Sequence, residues 1–181
     1  KGYEINFEGE VSVIKDSFSN LLLGIILAII FTFLILTTLF KSFRQPLIII
    51  CSLPFGIIGV IIIMLITETH VSIQTIMGII MMVGISVSYG NILIDKINFL
   101  IKCGAEKTNA IIQGASDRFI PILMTAATTI FGLLPTAISL DGTKGANFSL
   151  SITIIGGTAA VTLITLYIIP IFYYIITKSK N

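Results

Sequence analysis

The sequence is poor in charge. Only 11% of its 181 residues are Asp, Glu, Lys or Arg, where an ordinary soluble domain carries about 25%. It has no Trp, one His and two Cys. A single His, with no second His and no paired Cys spacing, gives no metal-ligand set. Cys51 falls in an apolar run and Cys103 in a charged segment, opposite environments that argue against a disulfide. The charges that exist are clustered. Ser17–Phe40, Gln45–Thr67, Thr69–Ile94, Phe119–Leu140 and Gly145–Thr177 hold none, and each is at least 22 residues long. A helix on a soluble protein needs charge on the face that meets water. Uncharged blocks of this length leave no such face, which excludes a soluble enzyme, a nucleic-acid binder and a disordered chain.

What is present is apolar sequence, 55% of all residues, with a mean hydropathy of +1.06. About 20 apolar residues cross a hydrocarbon core of roughly 30 Å. The runs are continuous, as in IIICSLPFGIIGVIIIMLI; the strands of a membrane β-barrel would alternate apolar and polar instead. The fold class expected is therefore an all-α membrane protein, a five-helix transmembrane bundle. The spans read as Ser17–Phe40, Pro46–Ile66, Val71–Ile94, Pro121–Leu140 and Leu150–Ile176, within a transmembrane domain of residues 17–177. The first is too long, and too acidic on its N-terminal side, for a cleaved signal peptide.

Two smaller elements complete the expected fold. Residues 1–13 alternate partly and read as the last strand of a water-soluble domain, within a lead-in of residues 1–16. A strand does not stand alone, so the segment reads as part of a larger protein, as does a first residue, Lys1, that is not Met. In AEKTNAIIQGASDRF, Ala110, Ile111, Ile112, Ala115 and Phe119 recur at helical spacing among Glu106, Lys107, Asp117 and Arg118, the pattern of a helix on the cytoplasmic membrane face. The first and third loops and the tail 178–181 together carry eight basic residues; the opposite side carries three. The positive-inside rule then places those loops and the C-terminus in the cytoplasm and the N-terminus outside.

Polar residues inside spans carry the functional signal. In the third span Gly84, Ser88, Asn91 and Asp95 share one helical face, and in the fourth Thr125, Thr129, Gly132 and Thr136 repeat the spacing. Arg118 lies two turns before Thr125 on that face, where it can hold a carboxylate of another helix or snorkel to headgroups. Pro121 suits the first turn of the fourth span. Gly156 and Gly157 permit close helix contact, as do Gly84 and Gly132. Met77, Met81 and Met82 read as packing.

These residues, in this order, resemble the resistance-nodulation-division (RND) efflux transporters. The likeness covers the whole chain. MGIIMMVGISVSYGNILIDKIN, from Met77, is similar to the family's tenth transmembrane helix; RFIPILMTAATTIFGLLPTAIS, from Arg118, to the eleventh; SLSITIIGGTAAVTLITLYIIPIFYY, from Ser149, to the twelfth; and Phe18–Gly59 to helices eight and nine. The resemblance implies the C-terminal transmembrane half, without its first helix, of a proton-driven pump. Such a pump exports hydrophobic or amphiphilic compounds from the bacterial inner membrane and is not an enzyme. Its implied partners are the remainder of the same chain, two further copies in a homotrimer, a periplasmic adaptor and an outer-membrane channel, besides the lipid bilayer. No cofactor and no nucleic acid are implied. By motif position Arg118 matches the family's relay Arg and Thr125 its relay Thr. The helix-ten relay position, often Lys or Asn, falls on Ser88, and the Asn that usually follows is Tyr89. Either Tyr89 or Asn91 contributes there, or coupling differs. The relay's two Asp residues belong to another helix, outside this sequence. A stand-alone five-helix scaffold subunit is the alternative reading.

Overall fold

The computed structural model describes residues 10–138 and 146–178. Six helices follow in order: α1 (Glu10–Phe40), α2 (Arg44–Ile50), α3 (Leu53–Thr67), α4 (Ile73–Lys102), α5 (Lys107–Ile138) and α6 (Ala146–Lys178). Five stretches are long and apolar enough to cross a membrane, with α2 and α3 forming one of them, Arg44–Thr67. The protein is an all-α membrane protein.

Two features depart from the sequence expectation. Residues 1–9 of the expected strand lie outside the described residues, but Glu10–Val13 form the first turn of α1. A helix satisfies its own backbone, whereas a lone strand leaves its backbone unpaired. The residues assigned to a cytoplasmic interfacial helix are helical from Lys107, yet they run without interruption into the fourth span. Pro121 therefore sits inside α5 rather than in its first turn. The second span, whose Pro54, Gly56 and Gly59 mark it as prone to kinking, is divided at Cys51–Ser52. Pro54 stands in the first turn of α3 and cannot donate to the carbonyl one turn back. The ladder tightens there, with Ser52 N–H bonding the Ile49 carbonyl at 3.0 Å.

Helix ends are closed locally. Ser72 caps α4 in a reciprocal arrangement with Thr75: the Ser72 hydroxyl accepts from Thr75 N–H and the Thr75 hydroxyl accepts from Ser72 N–H. At the other end Gly104, at φ +91°, lets its N–H reach the Ile101 carbonyl while Ala105 N–H reaches that of Leu100.

The centre of the bundle is α6 packed on α3 and α4. A Cβ added at Gly59 would collide with Ala160, and one at Gly156 with Ile63. Gly157 lies against Met82 and Val60, so backbone approaches side chain directly at each of these points. Ile49, Met82, Leu93, Ile97, Val161 and Ile169 fill the space between. Helix α5 packs on α4 and α6, while α1 lies at the edge with Leu36 buried. Its Leu22, Leu23, Ile26, Phe31 and Ile35 are exposed, as suits a lipid-facing surface.

Gly156→Val should therefore lower the thermal unfolding midpoint of the detergent-solubilised chain, by an overpacking cost of ~1–3 kcal/mol or more. Gly132→Val, with nothing within 4 Å of its added atom, should leave the midpoint unchanged or raised. Equal midpoints for the two would remove the close contact from the account.

Candidate functional site

The two polar stripes lie on α4 and α5, which pack against each other, with α4 running from its Ser72 cap toward the basic end of the bundle. On α4, Ser88 is exposed and donates to the Gly84 carbonyl one turn back, at 3.0 Å. On α5, Thr125 is exposed and donates to the Pro121 carbonyl at 3.0 Å, and Thr129 to the Thr125 carbonyl at 2.9 Å. Each hydroxyl is thus satisfied within its own helix, the usual solution for Ser and Thr where water is scarce. None of these three bonds reaches another helix. Gly84 and Gly132, expected to serve close packing, meet nothing within 4 Å; Gly156 and Gly157 do meet neighbours. Apart from Thr136, whose hydroxyl meets that of Ser151 on α6 at 2.6 Å, the stripes face outward as an open surface.

Deeper groups on the same helices lack partners. The Asn91 Oδ1 and the Arg118 Nε are both buried without a hydrogen bond, although each residue as a whole is only half-buried. Tyr89 is buried with its hydroxyl beside Thr129 but outside hydrogen-bond geometry. Near the basic end, Asp95, Lys96, Asn98, Phe99, Lys102 and Arg118 line a groove of about 330 Å³. Arg118 and Asp95 share this groove without forming an ion pair. Among the described residues the one ion pair is Lys96 Nζ to Asp117 Oδ2, 2.9 Å, joining α4 to α5.

The sequence-predicted residues thus divide. Arg118 comes together with Asp95. Ser88 and Thr125 stay on the open faces of their own helices. Of the three methionines, Met82 is core, whereas Met77 and Met81 are exposed.

Sequence reasoning missed a second polar cluster. Gln45 Nε2 donates to Asn98 Oδ1 at 2.9 Å, Asn98 Nδ2 donates to Gln45 Oε1 at 3.1 Å, and the Tyr173 hydroxyl donates to the same Asn98 oxygen at 2.8 Å. These side chains tie α2, α4 and α6 together. The one available signal was Asn98 itself, two turns past Asn91 on the polar face. Its partners are 53 and 75 residues away, and no local pattern reports them. A buried pair of hydroxyls, Ser52 and Ser86 at 3.2 Å, joins α4 to the interruption in the second span.

The family model described as the AcrB/AcrD/AcrF family matches residues 1–177. This chain belongs to that family. Its members are RND efflux transporters. The chain is similar to the swarming motility protein SwrC of Bacillus subtilis (strain 168), 34% identical over 178 residues, covering 98% of this chain and 17% of that protein. It is also similar to the multidrug resistance protein MdtC of Proteus mirabilis (strain HI4320), 32% identical over 171 residues, covering 92% of this chain and 16% of that protein. Among solved structures, a heavy metal efflux pump superposes with a TM-score of 0.73 at 27% identity, over 83% of this chain and 15% of the pump. The chain therefore spans about a sixth of the length of the curated relatives it matches.

The two interhelical polar links should differ in strength. Asn98→Leu strands the Gln45 amide and the Tyr173 hydroxyl, at ~1–3 kcal/mol for each partly buried group left unmade. Lys96→Ala removes a partly exposed ion pair worth under about 1 kcal/mol. Urea titration of the two variants in detergent should rank them in that order; a larger loss for Lys96→Ala would reverse it.

Proposed function

We propose that this chain is the C-terminal transmembrane segment of a proton-driven efflux pump for hydrophobic or amphiphilic compounds. On this reading residues 1–16 end a periplasmic domain, residues 17–177 cross the bacterial inner membrane five times, and residues 178–181 are a cytoplasmic tail. The whole pump assembles as a homotrimer with a periplasmic adaptor and an outer-membrane channel. The observation that carries the reading is the open α4–α5 face. It has two glycines with empty space beside them, a row of hydroxyls, and at its basic end an Arg118 whose Nε is buried and unpartnered. A face with that composition fits a further helix bearing carboxylates, supplied by the rest of the transporter.

The chemistry follows from the side-chain types. A guanidinium does not release its proton in a protein, so Arg118 cannot pass one on. Its part is electrostatic. It holds an incoming carboxylate ionised until the carboxylate takes up a proton, and protonation then weakens that hold. Thr125 and Ser88 bond their own backbone and can turn to donate to the carboxylate instead. The amide of Asn91 supplies a neutral partner on the same face. Proton uptake would thus change which groups attract the docked helix. Such differential attraction is what a two-state transporter needs to couple protons to movement.

The test uses the full-length transporter carrying this segment, with Nile red as cargo. Arg118→Ala should reduce proton-dependent export at least tenfold at unchanged membrane expression, with Arg118→Lys falling between. Full export by Arg118→Ala would remove Arg118 from the relay. The 181-residue chain alone, reconstituted in liposomes, should carry no proton-dependent flux, because the five uncharged blocks at the centre of its spans hold no Asp or Glu and the relay carboxylates are supplied by another helix. Flux from that chain would overturn the division of labour.

A further inference from the structure

The second span is attached to the bundle in two different ways. Its α3 half is fastened by backbone contact: Gly59 lies against Ala160 and Gly156 against Ile63. Helices whose backbones meet directly, as Gly59 meets the Gly156 carbonyl, cannot slide apart in small steps without losing packing over their whole contact. The α2 half is fastened near its start by Gln45, through hydrogen bonds to Asn98, which Tyr173 also contacts. One turn further along it is fastened by Ile48 and Ile49, the latter seated on Gly90. Neutral hydrogen bonds of this kind exchange for water with little net change. Between the halves lies the tightened turn at Cys51–Ser52. A short stretch of tighter winding inside a helix, next to a proline, is a common place for a helix to bend. The Ser52 hydroxyl donates to the Ile49 carbonyl at 2.6 Å and also meets the Ser86 hydroxyl, so the hinge side stays anchored to α4.

We propose that Gln45, Asn98 and Tyr173 are a latch that opens during transport, with Cys51–Ser52 as the hinge about which α2 swings away from α4 and α6. Asn98 gives the latch its consequence. Besides closing on Gln45 and Tyr173, it lines the groove that contains Asp95 and Arg118. The position of α2 is therefore coupled to that groove through one side chain. A closed latch occupies the Asn98 oxygen with two donors, and an open one frees that oxygen beside Asp95 and Arg118. Asn98 is a positioning residue in this scheme: it acts on the groove and carries no proton. The proposal rests on the transport reading, since an opening latch presupposes a moving transporter.

The experiment uses the full-length transporter in inverted membrane vesicles with the exposed Cys51 and Cys103 replaced by Ala. A single probe, Ile48→Cys, sits on the covered side of α2, where Ile48 is 2% exposed, and leaves the three latch residues intact. Labelling by a membrane-impermeant maleimide should be slow at rest and at least fivefold faster under an imposed proton gradient. In an Asn98→Leu background it should be fast without any gradient. Tyr173→Phe, which removes a single hydroxyl, should give an intermediate resting rate if Asn98→Leu fails to fold. The exchanged pair Gln45→Asn with Asn98→Gln, which retains two facing amides, should restore protection. One labelling rate with and without the gradient would overturn the latch, as would slow resting labelling in both latch variants. A protein that exports Nile red in an Arg118-dependent way, yet labels at one rate, keeps the function and loses the latch.

Discussion

Lipid offers no hydrogen bonds, and the structure is organised by that single deficit. Every polar group at membrane depth must find a partner within the protein or be costly. The chain meets the requirement at three levels. Backbone groups are satisfied in helices, which is why the polar loops are short and the termini of α4 are closed by Ser72, Thr75 and Gly104. Many membrane-depth hydroxyls bond the carbonyl one turn back, as Ser88, Thr125, Thr129, Thr153 and Thr162 do. Side chains that hydrogen-bond across helices include Ser52 with Ser86, Thr136 with Ser151, and the Gln45–Asn98–Tyr173 cluster. Those cross-links fix which helices are held to which.

The same deficit separates core from working face. Where α3, α4 and α6 meet, glycine and aliphatic side chains do the packing, and burial is complete at Met82, Val161 and Ile169. On the outer faces of α4 and α5 the hydroxyls bond their own helices and so remain available to a newcomer, because a donor that bonds its own backbone can be redirected at small net change. The Asn91 Oδ1 departs from this self-sufficiency, and so does Arg118. Its Nε is buried and unpartnered, and a guanidinium cannot be relieved by losing its proton. A buried cationic donor of that kind is a demand for an anion, and Asp95, in the same groove but not paired with it, leaves the demand unmet.

How much of this was legible in the sequence depends on the range of the interaction. The five spans were legible because the absence of charge over 22 or more residues is a local property. The α4 and α5 stripes were legible because helical period is local too, and Arg118 could be placed below Thr125 by counting turns. The strand expected for residues 1–13 failed at Glu10–Val13, since partial alternation over so few residues does not outweigh continuation of a long helix. Pro121 was misplaced because a proline can sit inside a long membrane helix when its neighbours compensate. The close packing expected at Gly84 and Gly132 was a reading of residue size alone. Size says that another helix can approach and leaves open whether it lies in this chain.

The partners of Asn98 were not legible at all, and the reason is instructive about where mechanism hides in a membrane sequence. Gln45, Asn98 and Tyr173 come from three helices and meet only because α3, α4 and α6 set the register through Gly59, Gly78, Gly156 and Gly157. A shift of one residue along α6 would rotate Tyr173 by about 100° away from Asn98. The polar contact is thus a consequence of apolar close packing, and its geometry is only as fixed as that packing. Above the interruption at Cys51–Ser52 the second span is held by that glycine packing. Below it, the span is held by side-chain hydrogen bonds and two isoleucines. Rigid and adjustable attachment therefore meet within one helix. The adjustable part is the one joined, through Asn98, to the groove of Asp95 and Arg118.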